Sequence, residues 1–417
     1  MLQTQSTRPA PKTNDMGASR EWATRPADER FWTIEDMHQA VVAHKERTID
    51  IPALLSSVEV GSPDRRSLEL YTGGDRQTPA TFTNFSFGQI CERVKAAKPY
   101  LTTLPAPIVA DCLNYGLSEY GLRTERGPHS VTFEVSPDGR GKQGAVELRC
   151  VASEIYNRIW NADITDWLRR LPDLGWRVPP ARPNGMPGLQ TRAATQDDVL
   201  NDQHGFLSIN VGDMIAPAGL YASDRDCFAF FVNEEFPIDT GDGQPMSRAF
   251  YVSNAEVPGR SFRAKFFGYE HVCGNHIIWD ARLMADIRVR HVGTNADEAV
   301  DQIKAQLTAY TEQSVMCEQN AIQAARQAML GNSKSGHRTK ESVMEDPIWR
   351  KVPVLNQKQI SRSIDVATDT VELHKASPFS AWGVVQGLTR LSQQTPHMDQ
   401  RETLDDAAGR VIELVTA

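Results

Sequence analysis

A run from Ala249 to Val292, AFYVSNAEVPGRSFRAKFFGYEHVCGNHIIWDARLMADIRVRHV, concentrates residues with chemical potential. His271, Cys273 and His276, with His291 downstream, are the residue types that ligate zinc. On a strand, His271 and Cys273 share a face. The spacing fits no zinc pattern, so no metal and no cofactor is assigned, and hydrogen-bonded structural residues are the competing reading. A second chemistry is thiol catalysis: Cys273 as nucleophile, His271 or His276 as base, and Asn275 or Glu256 as the orienting group. Asn254 and Asn275 also suit tight turns, because Asn tolerates left-handed backbone and bonds its own chain.

The third signal, between Arg248 and His291, is charge. Arg248, Arg260, Arg263, Lys265, Arg282, Arg288 and Arg290 oppose Glu256, Glu270, Asp280 and Asp286, a local excess of three cations in a chain whose net charge is −8. Phe262, Phe266, Phe267, Tyr269 and Trp279 are interleaved. Cations contact phosphates and exposed aromatics stack on unpaired bases, so Arg260, Arg263, Lys265, Arg288 and Arg290 are candidate contacts to single-stranded nucleic acid. The competing reading is an ordinary strand pair with aromatics inward and cations outward. Asp286 shares a strand face with Arg288 and Arg290 and weakens the patch.

The rest of the chain bounds these readings. The net charge of −8 and a pI near 5.7 argue against a generally basic nucleic-acid coat. No run of 18 apolar residues occurs, so no membrane span is expected. Residues 1–28 are polar, read as a disordered arm, and lack the apolar core of a secretory signal. The six cysteines are widely spaced, never as Cys-x-x-Cys, and read as reduced, buried thiols. There is no phosphate loop of the Gly-x-x-x-x-Gly-Lys-Ser/Thr type, no Gly-x-Ser-x-Gly and no His-Glu-x-x-His.

Periodicity places the elements. Thr33 and Asp36 cap a helix whose face is Ile34, Met37, Val41 and Val42. Ser86, with Gln89 three residues on, caps a second helix carrying Phe87, Ile90, Cys91 and Val94, stopped by Pro99. A third, near 107–119, carries Ile108, Val109, Cys112 and Leu113. Val131, Phe133 and Val135, then Val146, Leu148 and Cys150, alternate as two strands of a long-looped hairpin. Asn161 caps a helix bearing Ile164, Trp167, Leu168 and Leu171. Strands are expected in 220–232 and 250–252, with a turn at 239–243. Asn295 and Glu298 open a long helix with a narrow seam of Val300, Ile303, Leu307, Tyr310, Ser314 and Cys317, which either packs on its own sheet or joins a coiled coil. A final helix near 378–391 carries Phe379, Trp382, Val385 and Leu388.

Several of these segments carry a resemblance. Tyr251-Val252-Ser253-Asn254-Ala255-Glu256, Ser261-Phe262-Arg263 and Val272-Cys273-Gly274-Asn275-His276-Ile277-Ile278-Trp279 resemble the phage/plasmid-like family designated domain of unknown function 932. The Val-Cys-x-Asn element is intact. The Asn-Ser-Glu element departs from pattern, with Ser253 before Asn254 and Ala255 after it. Phe85 to Gln89, Leu104-Pro105 and Asp111 to Tyr115 are similar to the amino-terminal part of phage members. Ile155 to Asn161 resembles a Tyr-x-x-Val-x-Asn element, and Ala381 to Val385 with Arg401 and Gly409 is similar to the carboxy-terminal part. The resemblance spans about Phe82 to Leu414. It implies a mobile-element origin in a bacterial cytoplasm and transfers no catalytic residue; support of DNA replication or recombination is an expectation from that context.

The expected fold is α+β, a central and largely antiparallel sheet flanked by helices, with a long helix after the sheet. The expected organisation is an arm at 1–28, an α+β part at 29–171, a Pro/Gly-rich loop at 172–199, a strand-rich core with its long helix at 200–330, a linker at 331–350 and a helical part at 351–417. The leading functional expectation is a non-enzymatic nucleic-acid-associated protein. A Cys/His-dependent enzyme and a structural or host-interaction homo-oligomer are the alternatives. Asn254, Glu256, Cys273 and Asn275 are its motif residues.

Overall fold

The alternating segments 131–135 and 146–150 pair, but in a sheet separate from the one that holds the Ala249–Val292 run. The computed structural model describes residues 29–72, 79–122, 130–136, 146–153, 155–178, 191–201, 209–217, 219–223, 226–241, 243, 245–258, 261–270, 276–277, 287–289, 291, 296–331, 337–352, 354–393 and 398–416. The amino-terminal arm, His271, Cys273, Asn275, Arg260 and Arg290 lie outside the described residues.

The fold opens with α1 (Ile34–Arg47), capped as expected: the Thr33 hydroxyl accepts from the Asp36 amide at 3.1 Å. The first sheet follows, from β1 (Ile49–Leu54), β2 (Glu59–Gly61), β3 (Glu69–Tyr71), β4 (Ala80–Phe82), β5 (Ser130–Ser136) and β6 (Val146–Ser153). Its order is β1-β5-β6-β4-β3-β2, antiparallel except for the parallel β4–β6 pair. Between β4 and β5 the chain forms α2 (Asn84–Arg93) and α3 (Ala106–Leu122), which bury Phe87, Ile90, Val109, Leu113 and Leu117 against Phe82, Leu148 and Val151. Two details differ from the periodicity. The cap of α2 is Thr83, with Ser86 as its capping-box partner inside the helix. On α3 the buried stripe is Ala106, Val109, Ala110, Leu113 and Leu117, while Ile108 and Cys112 face out. A helical face needs steps of three and four, and Ile108 sits one position off that stripe.

After α4 (Asn161–Leu168) come β7 (Trp176–Arg177), β8 (Leu220–Ala222), β9 (Cys227–Asp239), β10 (Pro245–Asn254), β11 (Phe262–Glu270), β12 (His276–Ile277) and β13 (Ile287–Val289). They build the second sheet in the order β8-β9-β10-β11-β12, with β7 on β9 and β13 on β11, all antiparallel. The expected turn at 239–243 joins β9 to β10. Gly241 and Gly243 have φ of 82° and 86°, and Asp239 accepts from the Gly241 amide at 2.8 Å. Left-handed backbone there suits glycine.

Residues of alternate parity separate the two faces of this sheet. Phe231, Phe250, Phe262 and Phe266 face the large core shared with α5 (Ala296–Glu312), α6 (Met316–Gln327), α7 (Gln357–Asp369), α8 (Ala381–Gln393) and α9 (Met398–Thr416). Phe228, Phe230, Val232 and Phe267 form a smaller cluster with Tyr221. The seam of α5 packs on its own sheet: Tyr310 meets Phe266 edge-on at 5.3 Å and Trp176 at 6.0 Å. Its expected continuation to Cys317 fails, because the helix ends at Glu312 and Cys317 is exposed on α6.

The described part of 331–350 is folded, against the expectation of a linker. Residues 340–344 form a helix capped by Thr339, Val343 is fully buried and Trp349 donates Nε1–H to the Val343 carbonyl at 2.6 Å. The apolar Val343 and Trp349 override the polar composition around them.

Candidate functional site

Among the described residues, the aromatic rings of the strand patch and two of its cations are drawn into the interior. Phe262, Phe266 and Phe267 are core residues, at most 2% exposed, and present no face to a base. Lys265 is buried, with Nζ 3.1 Å from Asp406 on α9, so its expected role at a nucleic-acid surface is corrected to that of an interior ion-pair partner. Arg248 is also buried. Its Nε and Nη2 donate to Glu318 at 2.8 and 2.6 Å, and Nη1 donates to the carbonyls of Tyr310 and Gln313 at 2.6 and 2.7 Å. That fork ties β10 to the end of α5 and the start of α6. Arg263 is half-buried on β11, and its register partner across the ladder is Arg288 on β13. His276 begins β12 opposite Tyr269. Among the described residues no group of three His, Cys, Asp or Glu side chains is placed to hold a metal ion.

What does converge is a buried polar junction, built from Asn254, Glu256 and Asn161 together with Arg149, which the sequence did not single out. Glu256 follows the end of β10 and is 1% exposed; Arg149 on β6 is 3% exposed. Arg149 Nη2 donates to Glu256 Oε2 at 3.0 Å. The other carboxylate oxygen, Oε1, accepts the Asn161 amide at 2.8 Å, in the first turn of α4. A helix start leaves N–H groups unpaired and carries positive potential, so a carboxylate is stabilised there. Asn161 therefore does not cap α4 with its own side chain; Glu256 satisfies that amide from outside the helix. The Asn161 Oδ1 instead accepts from Asn254 Nδ2 at 2.8 Å, and the same Asn254 amide group donates to the Ile159 carbonyl at 2.8 Å. Asn254 thus crosses between segments rather than shaping its own turn.

The segment 155–161 is clamped along its length. Tyr156 donates to the Ala255 carbonyl at 3.2 Å, and Arg158 Nε donates to the Glu256 carbonyl at 3.1 Å. Arg158 Nη1 also reaches Asp50 on β1, at 2.8 Å, and the guanidinium lies over the Trp160 ring at 4.7 Å. His291 stacks on Tyr156 with ring centroids 5.1 Å apart, and its Nδ1 is 3.2 Å from the Asn157 carbonyl. The first sheet, the 155–161 segment, the end of β10 and His291, two residues beyond β13, thus meet at one point.

Burial sets the chemistry here. Desolvation holds the His291 imidazole below the usual histidine range, against an opposite pull from the Asn157 carbonyl, and Arg158 adds a lesser lowering. Desolvation also pushes the Cys227 thiol well up, reinforced by Glu256 and Asp226. A thiol held protonated is a poor nucleophile. Glu256 and Arg149 hold each other and the elements that carry them, which is a scaffolding role.

Arg149 did leave a trace in the sequence. Leu148, Cys150 and Val151 put apolar residues on both faces of β6, and an arginine inside such a strand demands a buried anion. Nothing local identifies that anion as Glu256. Two of the five cysteines described, Cys112 and Cys317, are exposed, against the expectation of buried thiols. Compared with family models, curated proteins and solved structures, the chain matches none.

Proposed function

We propose that this chain is a non-enzymatic, nucleic-acid-associated protein of a phage or plasmid, acting in the bacterial cytoplasm to support DNA replication or recombination by holding single strands. The observation that carries the reading is the register of β11 and β13, which sets Arg263 directly opposite Arg288. Directly opposed positions on an antiparallel pair stand about 5 Å apart, so one polyanionic strand can meet two cationic residues there. A backbone phosphate has the charge and the acceptor geometry for two guanidinium forks. The resemblance of the Tyr251–Glu256 and Val272–Trp279 elements to a mobile-element family supports the context.

Anisotropy titration of a labelled 30-nucleotide single strand at low salt tests it. The expected result is binding that falls steeply with salt and weakens in R263A/R288A, with the salt slope reduced by about 0.7 for each phosphate that is no longer neutralised. Absence of binding to any nucleic acid at low salt overturns the proposal.

A further inference from the structure

A second concentration of cations, free of acids, lies outside the second sheet. Between Asp346 and Asp365 the sequence holds Arg350, Lys351, Lys358 and Arg362 and no acidic residue, in a chain whose net charge is −8. All four are exposed. Among the described residues none of them forms an ion pair, whereas Arg149, Arg248 and Lys265 are all consumed inside the protein.

These four cations stand on rigid supports. Arg350 and Lys351 end a 3-10 turn, Pro347–Lys351, whose start is capped by Asp346 and whose Trp349 is buried. Val352 and Leu355 are buried and anchor the connection to α7. The start of α7 is fixed by a capping box between Asn356 and Gln359. Lys358 and Arg362 are four apart on that helix, so they project from one face within about 6 Å of each other. Asp365, the next residue of that stripe, is neutralised by Lys340, whose Nζ lies 2.6 Å from its Oδ2.

The helix start adds a second argument. The first turn of α7 has no acid and carries Lys358. By contrast α1 has Glu35 and Asp36 in its first turn. A cation at the positive end of a helix is unfavourable, and an external anion is favoured there. Trp349 is buried and no aromatic side chain stands between Arg350 and Arg362, so the surface offers charge without stacking.

We infer that Arg350, Lys351, Lys358 and Arg362 form a nucleic-acid backbone track, a sequence-independent phosphate surface on the helical carboxy-terminal part. The choice of nucleic acid over another polyanion rests on the proposed function above. Four phosphate contacts to a single strand contribute a slope of about −2.8 in log affinity against log salt, a ~50-fold drop in affinity between 50 and 200 mM salt.

The test compares full-length wild type, R350Q/K351Q/K358Q/R362Q and R263A/R288A against a labelled 30-nucleotide single strand, the matching duplex, and vesicles containing phosphatidylserine. The four glutamines lie on the surface, and an unchanged melting temperature verifies the fold. The expected result is that the quadruple variant loses the ~50-fold salt sensitivity and binds the strand weakly at 50 mM salt, with no preference among sequences. If the quadruple variant binds with the wild-type slope while R263A/R288A fails, the track is overturned and the proposed function stands. If wild type binds no nucleic acid, both fall. If the four substitutions abolish vesicle binding and leave DNA binding intact, the surface is a lipid contact and the inference is overturned.

Discussion

Asn254 and Asn161 lie 93 positions apart in the chain and meet through one side-chain hydrogen bond, Asn254 Nδ2 to Asn161 Oδ1 at 2.8 Å. The bond brings the end of β10 onto the start of α4. It sets Glu256, two residues beyond Asn254, against the Asn161 amide and Arg149.

That arrangement makes Glu256 a point of failure. Glu256→Gln keeps the shape and removes the buried carboxylate charge that faces Arg149, which costs about 3–5 kcal/mol. Urea denaturation followed by circular dichroism is the measurement. The apolar pair R149M/E256L is expected to recover part of that deficit, because both desolvated charges are removed together while the Asn161 amide loses its acceptor. Equal stability of Glu256→Gln and wild type would show that the pair carries no such burden.

The packing of α8 on α7 depends on the absence of a side chain. A Cβ at Gly387 would overlap the Ser363 carbonyl, and one at Gly383 would overlap the carbonyl of Ser377. Helix propensity alone makes Gly→Ala stabilising by about 1 kcal/mol. Gly387→Ala is expected to have the opposite sign and to cost about 1–3 kcal/mol through overpacking. Thermal denaturation separates the two signs directly.

Stability is expected to fall on mild acidification through His291. Its imidazole is held below the ordinary range in the folded protein, so the unfolded chain takes up the proton first. The unfolded state then binds more protons, and stability declines as pH drops below the unfolded histidine value of about 6.5. Above that value the contribution is constant. Melting temperatures between pH 5 and 8 should show this decline in wild type and a shallower one in His291→Gln. The same slope in both would remove His291 as its cause.

Thiol accessibility should divide the cysteines. Cys112 and Cys317 are exposed and are expected to alkylate first in the native protein. Burial pushes the Cys91 thiol up to about 11 and Cys227 well above its ordinary range, so both should react only on unfolding. Mass spectrometry of a timed maleimide reaction reads each site. The same spectra report on Cys273: labelling ahead of Cys112 and Cys317 would favour the thiol-enzyme alternative.

Much of the local structure was legible in the chain alone. Thr33 capping α1, the Asp239–Gly243 turn and the Val300–Tyr310 seam are read from neighbours a few positions apart, because helix caps, turns and periodic faces are short-range effects. The alternation at 131–135 and 146–150 marked β5 and β6 for the same reason. The fate of the charges, by contrast, was settled only by packing. Arg248 and Lys265 read as surface cations until Glu318 and Asp406 arrive from helices 70 and 141 positions away. Arg149 acquires Glu256 across 107 positions, and the Phe262, Phe266 and Phe267 rings enter cores closed by elements far along the chain. A buried charge is stable only with its partner in place, and that partner is chosen by how sheets and helices stack, which no local spacing encodes.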